Sequence, residues 1–171
     1  MARKSLVTSN PIREIRIREG KTLEHFAFEC GVTLQAVYLN ECGVYPNVLP
    51  SILRRLTTYY ELQESDLNRD YERFVKQKRL QFNERYSPYK TPESDCTKSP
   101  IQLFRKLLTL SRVGFAKGIC VQPTLLYKVE EAKIDVIPGQ IAMALRDIQL
   151  PVGEIQEFQE RQLEFYCHVR F

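Results

Sequence analysis

Apolar residues recur along this chain at spacings of three and four, and few stretches alternate apolar with polar residues as a half-buried strand would. The pattern predicts an all-α protein. Pro11 opens a segment whose inward positions are Ile12 and Ile15, flanked by Arg13, Arg16 and Arg18, and Gly20 ends it. Thr22 has the chemistry of an N-cap, and Leu23, Phe26 and Ala27 form the inward face of a second short helix reaching Cys30. Gly31-Val32 supplies a tight turn, Thr33 a new cap, and Leu34 to Cys42 a third helix that Gly43 stops. Ile52, Leu53, Leu56 and Tyr60 mark a fourth helix after Tyr45-Pro46-Asn47. A fifth begins at Ser65-Asp66, with Leu67, Tyr71, Phe74, Val75 and Lys78 at helical spacing and Arg69, Arg73, Lys76 and Arg79 outside.

Sliding the sequence by 89 residues without a gap pairs Pro11 with Pro100, Ile12 with Ile101, Arg16 with Arg105, Phe26 with Phe115 and Ala27 with Ala116. It also pairs Val32 with Val121, Tyr38 with Tyr127, Glu41 with Glu130, Ile52 with Ile141 and Leu56 with Leu145. Most of these ten identities fall at apolar, turn or helix-start positions, so the chain reads as two copies of one helical domain. Ser87 to Asp95 is rich in turn formers and reads as a linker that lets the two reorient. The expected organisation is a first domain with its trailing basic helix over 1–86, a linker over 87–98 and a second domain over 99–171. Glu154 to Tyr166 forms a C-terminal helix, and its Ile155, Phe158, Leu163, Phe165 and Tyr166 serve either the domain core or an oligomer contact.

Composition narrows the chemistry. With 43% apolar and 27% charged residues in 171, disorder throughout is excluded. Twenty-five Lys and Arg against 21 Asp and Glu give a net charge of +4, too mild for a histone-like coat, so nucleic-acid binding would need local charge. Residues 1–21, including Arg3 and Lys4, carry +4, residues 22–64 carry −3, residues 65–98 carry +2 and residues 99–171 carry +1. No apolar run approaches the roughly 20 residues that span a bilayer, and Met1-Ala2-Arg3-Lys4-Ser5 is not followed by the apolar stretch of a secretion signal. A soluble, cytoplasmic protein is expected, without a membrane partner. The five cysteines and two histidines have neither zinc nor redox spacing, and reduced cysteines in or near the core are expected, with no metal or cofactor. Without a phosphate-binding glycine loop, a Gly-x-Ser-x-Gly elbow or paired histidine ligands, no enzyme is expected.

The run Ile12-Arg13-Glu14-Ile15-Arg16, Thr22-Leu23, Phe26-Ala27, Gly31-Val32-Thr33, Val37, Glu41 and Gly43 resembles the lambda-repressor-like (Cro/cI, or XRE) helix-turn-helix family. Phe115-Ala116, Val121-Gln122, Leu126, Val129-Glu130 and Ile141 through Leu145 place the second copy in the same pattern. The resemblance implies two tandem helix-turn-helix domains, each with a recognition helix that enters a major groove of double-stranded DNA. It implies base-edge contacts from Leu34, Gln35, Tyr38 and Leu39 at the helix that Thr33 caps, and phosphate contacts from Lys21, Thr22 and Asn47. Gln35 can pair bidentately with adenine, worth about 1–3 kcal/mol of discrimination, and Leu34 can touch a thymine methyl. In the second copy Gln122, Thr124 and Lys128 offer polar contacts. Arg3 and Lys4 form a basic arm able to follow phosphates or enter a minor groove.

The chain departs from the family at Asn40, which falls where an aliphatic residue is normally buried, and at Tyr38 and Leu39, which replace polar readers. In the second copy Ala132 replaces the terminal glycine, and Gly118 and Cys120 shift the turn glycine. The expected function is that of a sequence-specific DNA-binding regulator of phage, plasmid or bacterial type, a repressor read chiefly through its first copy. The second copy serves as another reader or for assembly into a homo-oligomer. The apolar third helix leaves an alternative open, a protein-interaction module that binds another regulator or a polymerase subunit.

Overall fold

A computed structural model describes residues 9–86 and 95–171. Arg3, Lys4 and linker residues 87–94 lie outside the described residues. The described residues form ten helices: α1 Pro11–Arg18, α2 Leu23–Cys30, α3 Leu34–Glu41, α4 Pro50–Tyr59, α5 Glu64–Tyr86, α6 Pro100–Leu107, α7 Arg112–Gly118, α8 Pro123–Glu130, α9 Gly139–Asp147 and α10 Val152–Arg170. No described helix is long and apolar enough to cross a membrane. Two compact units emerge, Met1–Gln77 and Lys78–Phe171. Helix α5 is longer than its expected first-domain role requires, and its residues from Lys78 onward belong to the second unit.

The shift of 89 residues holds for the elements as well as the letters. α1 falls on α6 and α3 on α8 with the same bounds, while α7 and α9 each end one residue earlier than α2 and α4 would place them. Helix starts follow local chemistry. The Asn10 side chain accepts from the Ile12 and Arg13 amides, Thr22 from His25, Thr33 from Ala36 and Ser111 from Gly114. α6 and α8 begin instead with proline in the first turn and no side-chain cap. The first core buries Ile12, Phe26, Val37, Ile52 and Leu56 with Tyr71 of α5. The second buries Ile101, Phe104, Phe115, Leu126, Ile141 and Phe158, with Phe82 of α5 joining it.

One ionic clamp occurs in both units. Arg16 Nε and Nη2 donate to the two carboxylate oxygens of Glu41 at 2.6 and 3.0 Å while Nη1 donates to the Lys21 carbonyl. Arg105 does the same to Glu130 at 2.7 and 2.9 Å and to the Leu110 carbonyl. The planar fork ties the first helix of each unit to the end of its third, a geometry that a lysine could not reproduce.

Three of the turns that hold a left-handed residue also correspond. Gly20, Gly31 and Gly43 supply it in the first unit and Thr109, Cys120 and Ala132 in the second, all with φ between 47° and 69°. The turn residue is therefore Cys120, while Gly118 ends α7 and has another task. A Cβ there would stand 2.3 Å from the Phe82 ring, so the missing side chain is what lets α5 lie against α7.

Asn40, the unexpected polar residue of α3, is fully buried and satisfied. Its Nδ2 donates to the Asn47 carbonyl and the Tyr71 hydroxyl, and its Oδ1 accepts from the Leu49 amide. The Tyr71 hydroxyl also lies 3.1 and 2.9 Å from the Asn40 and Tyr45 carbonyls. In the second unit Gln162 Nε2 donates to the Val129 and Ile134 carbonyls, the positions 89 residues on, and its Oε1 accepts from Ser99. The fifth helix of each unit thus reaches the same two carbonyls with a different side chain. Helix α10 is longer than Glu154 to Tyr166; Phe158 and Phe165 serve the core, while Leu163, Val169 and Phe171 stay exposed. Cys30 and Cys120 are buried and Cys42 half-buried, but Cys96 and Cys167 are exposed, contrary to the expectation for all five. Burial pushes the Cys30 thiol up to about 11, so it is not a nucleophile near neutral pH.

Candidate nucleic-acid interface

In each unit the second and third helices pack as a pair. Ala27 and Phe26 of α2 are buried against Val37 of α3, and Ala116 and Phe115 of α7 against Leu126 and Val129 of α8. A small residue at the contact lets the axes approach, and the left-handed residue between the helices turns the chain sharply enough to project the second one. Positions i, i+1 and i+4 of a helix share a face. On α3 this face is Leu34, Gln35 and Tyr38, all exposed beside the exposed cap Thr33, while Leu39 is half-buried. Thr22 and Asn47 are exposed too, Asn47 giving its carbonyl to Asn40.

Lys21, the described cation expected near this face, is committed elsewhere. Lys21 Nζ lies 2.5 Å from Glu29 and 2.8 Å from the Tyr60 hydroxyl. The hydrogen bond to Glu29 raises the Lys21 pKa, and the same bond holds the Glu29 carboxyl below its ordinary value. Glu29 is approached as well by Arg55 at 3.4 Å and by His25 at 3.1 Å. A phosphate at Lys21 would have to displace this carboxylate. Arg16 is likewise held by Glu41, so the positive charge counted over residues 1–21 is partly internal.

The corresponding face of α8 carries Thr124 and Lys128, both exposed, and Tyr127; Gln122 at the N-cap is half-buried. Arg112 and Lys133 lie over the Tyr127 ring, 4.9 and 4.4 Å from its centre, and Lys133 donates to its hydroxyl at 3.2 Å. Arg112 also reaches Glu130 and Glu131. Tyr127 was legible as the partner of Tyr38 in the repeat. Arg112 and Lys133 were not, because their counterparts are Leu23 and Val44. Arg112 is thus paired, and Lys128 and Lys133 are the cations beside the α8 face, where the first unit has Leu39 and Val44. Among the described residues no group of three His, Cys, Asp or Glu side chains could hold a metal ion. No family model matches the chain, and neither the curated proteins nor the solved structures contain a match that would assign it to a family.

Proposed function

We propose that the chain is a sequence-specific, double-stranded DNA-binding regulator, a repressor in the manner of the lambda-repressor-like family, with two tandem helix-turn-helix domains. The observation that carries the reading is the repeated helix pair whose second helix turns Thr33, Leu34, Gln35 and Tyr38 outward in one unit and Thr124, Tyr127 and Lys128 in the other. Helices of this kind fit a major groove and read base edges with side chains near their start. Lys128 and Lys133 give the second unit the stronger attraction for phosphate, whereas Gln35 gives the first the better base reader. Two half-sites on one chain supply affinity that neither small unit has alone.

The test is selection of bound sequences from a random duplex pool, followed by titration of the preferred site at increasing salt. Affinity should fall steeply with salt, Lys128→Gln should lower the salt slope by about one, and Gln35→Ala should relax preference at one base pair. Binding without any sequence preference, or preference unchanged by Gln35→Ala, would remove the assignment of α3. A second reading has its own observation. The α3 face offers Leu34 and Tyr38, each about two-fifths exposed. That suits a protein-interaction module binding another regulator or a polymerase subunit, and salt-insensitive failure to bind duplex DNA would favour it.

A further inference from the structure

In the second unit, residues 78–86 of α5 lie in a groove between α7 and α9. Phe82 sits on Gly118, and Arg79 donates to the Ile119 and Cys120 carbonyls and to Asp147. The positions 89 residues earlier line a groove between α2 and α4 of the first unit that is open, with a volume of about 390 Å³. Its walls include Phe28, Glu29, Gly31, Arg54, Arg55 and Tyr59. Phe28 is 86% and Tyr59 65% exposed, a large apolar area to leave in water. Arg54 is exposed, and the Arg55 guanidinium lies 3.3 Å over the Tyr59 ring with its Nε buried and without a hydrogen-bond partner.

The side chains state what this groove accepts. Where the second unit has Met143, Ala144 and Gly118, the first has Arg54, Arg55 and Glu29, so a helix backbone cannot approach as closely; Arg55 is paired with Glu29 at 3.4 Å, and exposed Arg54 is the cation that a longer carboxylate side chain can reach. Residues 78–86 of α5 fill the groove of the second unit to which they belong, and α10 holds the fifth-helix place of that unit, doing with Gln162 what Tyr71 does in the first. The outward face of α10 carries Glu157, Glu160 and Glu164 around the half-exposed Leu163. An exposed leucine flanked by carboxylates on one surface of the chain thus complements an apolar groove with an exposed arginine on another. We propose that α10 of a second copy docks in the groove between α2 and α4, with Leu163 between Phe28 and Tyr59 and Glu160 and Glu164 toward Arg54. The contact joins two different patches, so it assembles copies head to tail. It does not depend on the DNA reading.

Sedimentation of the full chain over a range of concentrations tests this. The average mass should rise above 20.1 kDa as concentration increases. Arg54→Glu and Glu160→Arg should each weaken association at least tenfold, and the two together should restore most of it. Both residues are exposed, and an unchanged helical spectrum would show that the variants fold. A chain that stays at its monomer mass up to several hundred micromolar on the order of ordinary weak contacts overturns the proposal. So does association that Arg54→Glu leaves intact, or that the double variant fails to recover.

Discussion

At one position of the second helix the first unit carries Glu29 and the second Gly118, and much of what distinguishes the units follows from that exchange. Glu29 gathers Lys21, Arg55 and His25 into a charged cluster at the helix face. Gly118 removes the side chain and admits an aromatic ring, and Phe82 packs edge-on against Phe115 at 5.9 Å. The same backbone thus supports an ionic surface in one copy and an apolar joint in the other. The lesson is that a duplicated fold keeps its internal clamp and its turns, while the outer face of a single helix is free to change partners.

The sharpest way to break the comparison is through the clamp the units share. Glu130 is wholly buried and serves both Arg105 and Arg112, whereas Glu41 serves Arg16 and keeps slightly more contact with water. Glu130→Gln should cost about 3–5 kcal/mol because it leaves buried guanidinium charge uncompensated, and Glu41→Gln should cost less. Urea unfolding read by peptide-resolved hydrogen exchange checks both, since it assigns the loss to a unit. Next comes the exchange itself. Gly118→Ala should destabilise the second unit by about 1–3 kcal/mol through overpacking against Phe82. Glu29→Gln should act instead through pH. The folded pKa of Glu29 is depressed, so its contribution is present above the ordinary carboxylate value and is lost as pH falls through the folded one. Melting curves between pH 3 and 6, about the range where an ordinary carboxylate titrates, should show a flatter acid limb for the variant. The smallest effects lie in the turns. Gly20→Ala has space around it and should cost about 1 kcal/mol from backbone strain alone, and Thr109→Gly should recover about as much in the second unit.

Helix existence was legible along the chain because caps such as Thr22 and Thr33 and inward residues such as Ile12, Phe26 and Ile52 are local signals. The repeat was legible for a related reason, since Arg16, Glu41 and their counterparts are identical letters. That these letters bond to each other was hidden, because a partner 25 residues away in sequence is set by packing and not by spacing. The division of α5 was hidden too: nothing in its periodicity marks Lys78, and the glycine that receives Phe82 lies in another helix. At the candidate interface, exposure of Leu34, Gln35 and Tyr38 followed from helical spacing. The commitment of Lys21 to Glu29 and Tyr60 did not, because ion pairs between helices leave no trace in a charge count.

The unlike side chains with which Tyr71 and Gln162 reach equivalent carbonyls bear on how a duplicated chain avoids mispairing as it folds. Neighbouring copies of one motif invite exchange of equivalent helices, a characteristic failure of repeated domains. Were α5 to settle where α10 belongs, Ser99, fully buried, would lose the acceptor that Gln162 provides. Were α10 to take the place of α5, a glutamine would leave empty the volume that the Tyr71 ring fills and would strand packing around Asn40. Each wrong pairing carries a penalty that the right one does not, so the two helices act as keys cut for different locks, and fidelity of assembly is written into a pair of buried polar atoms.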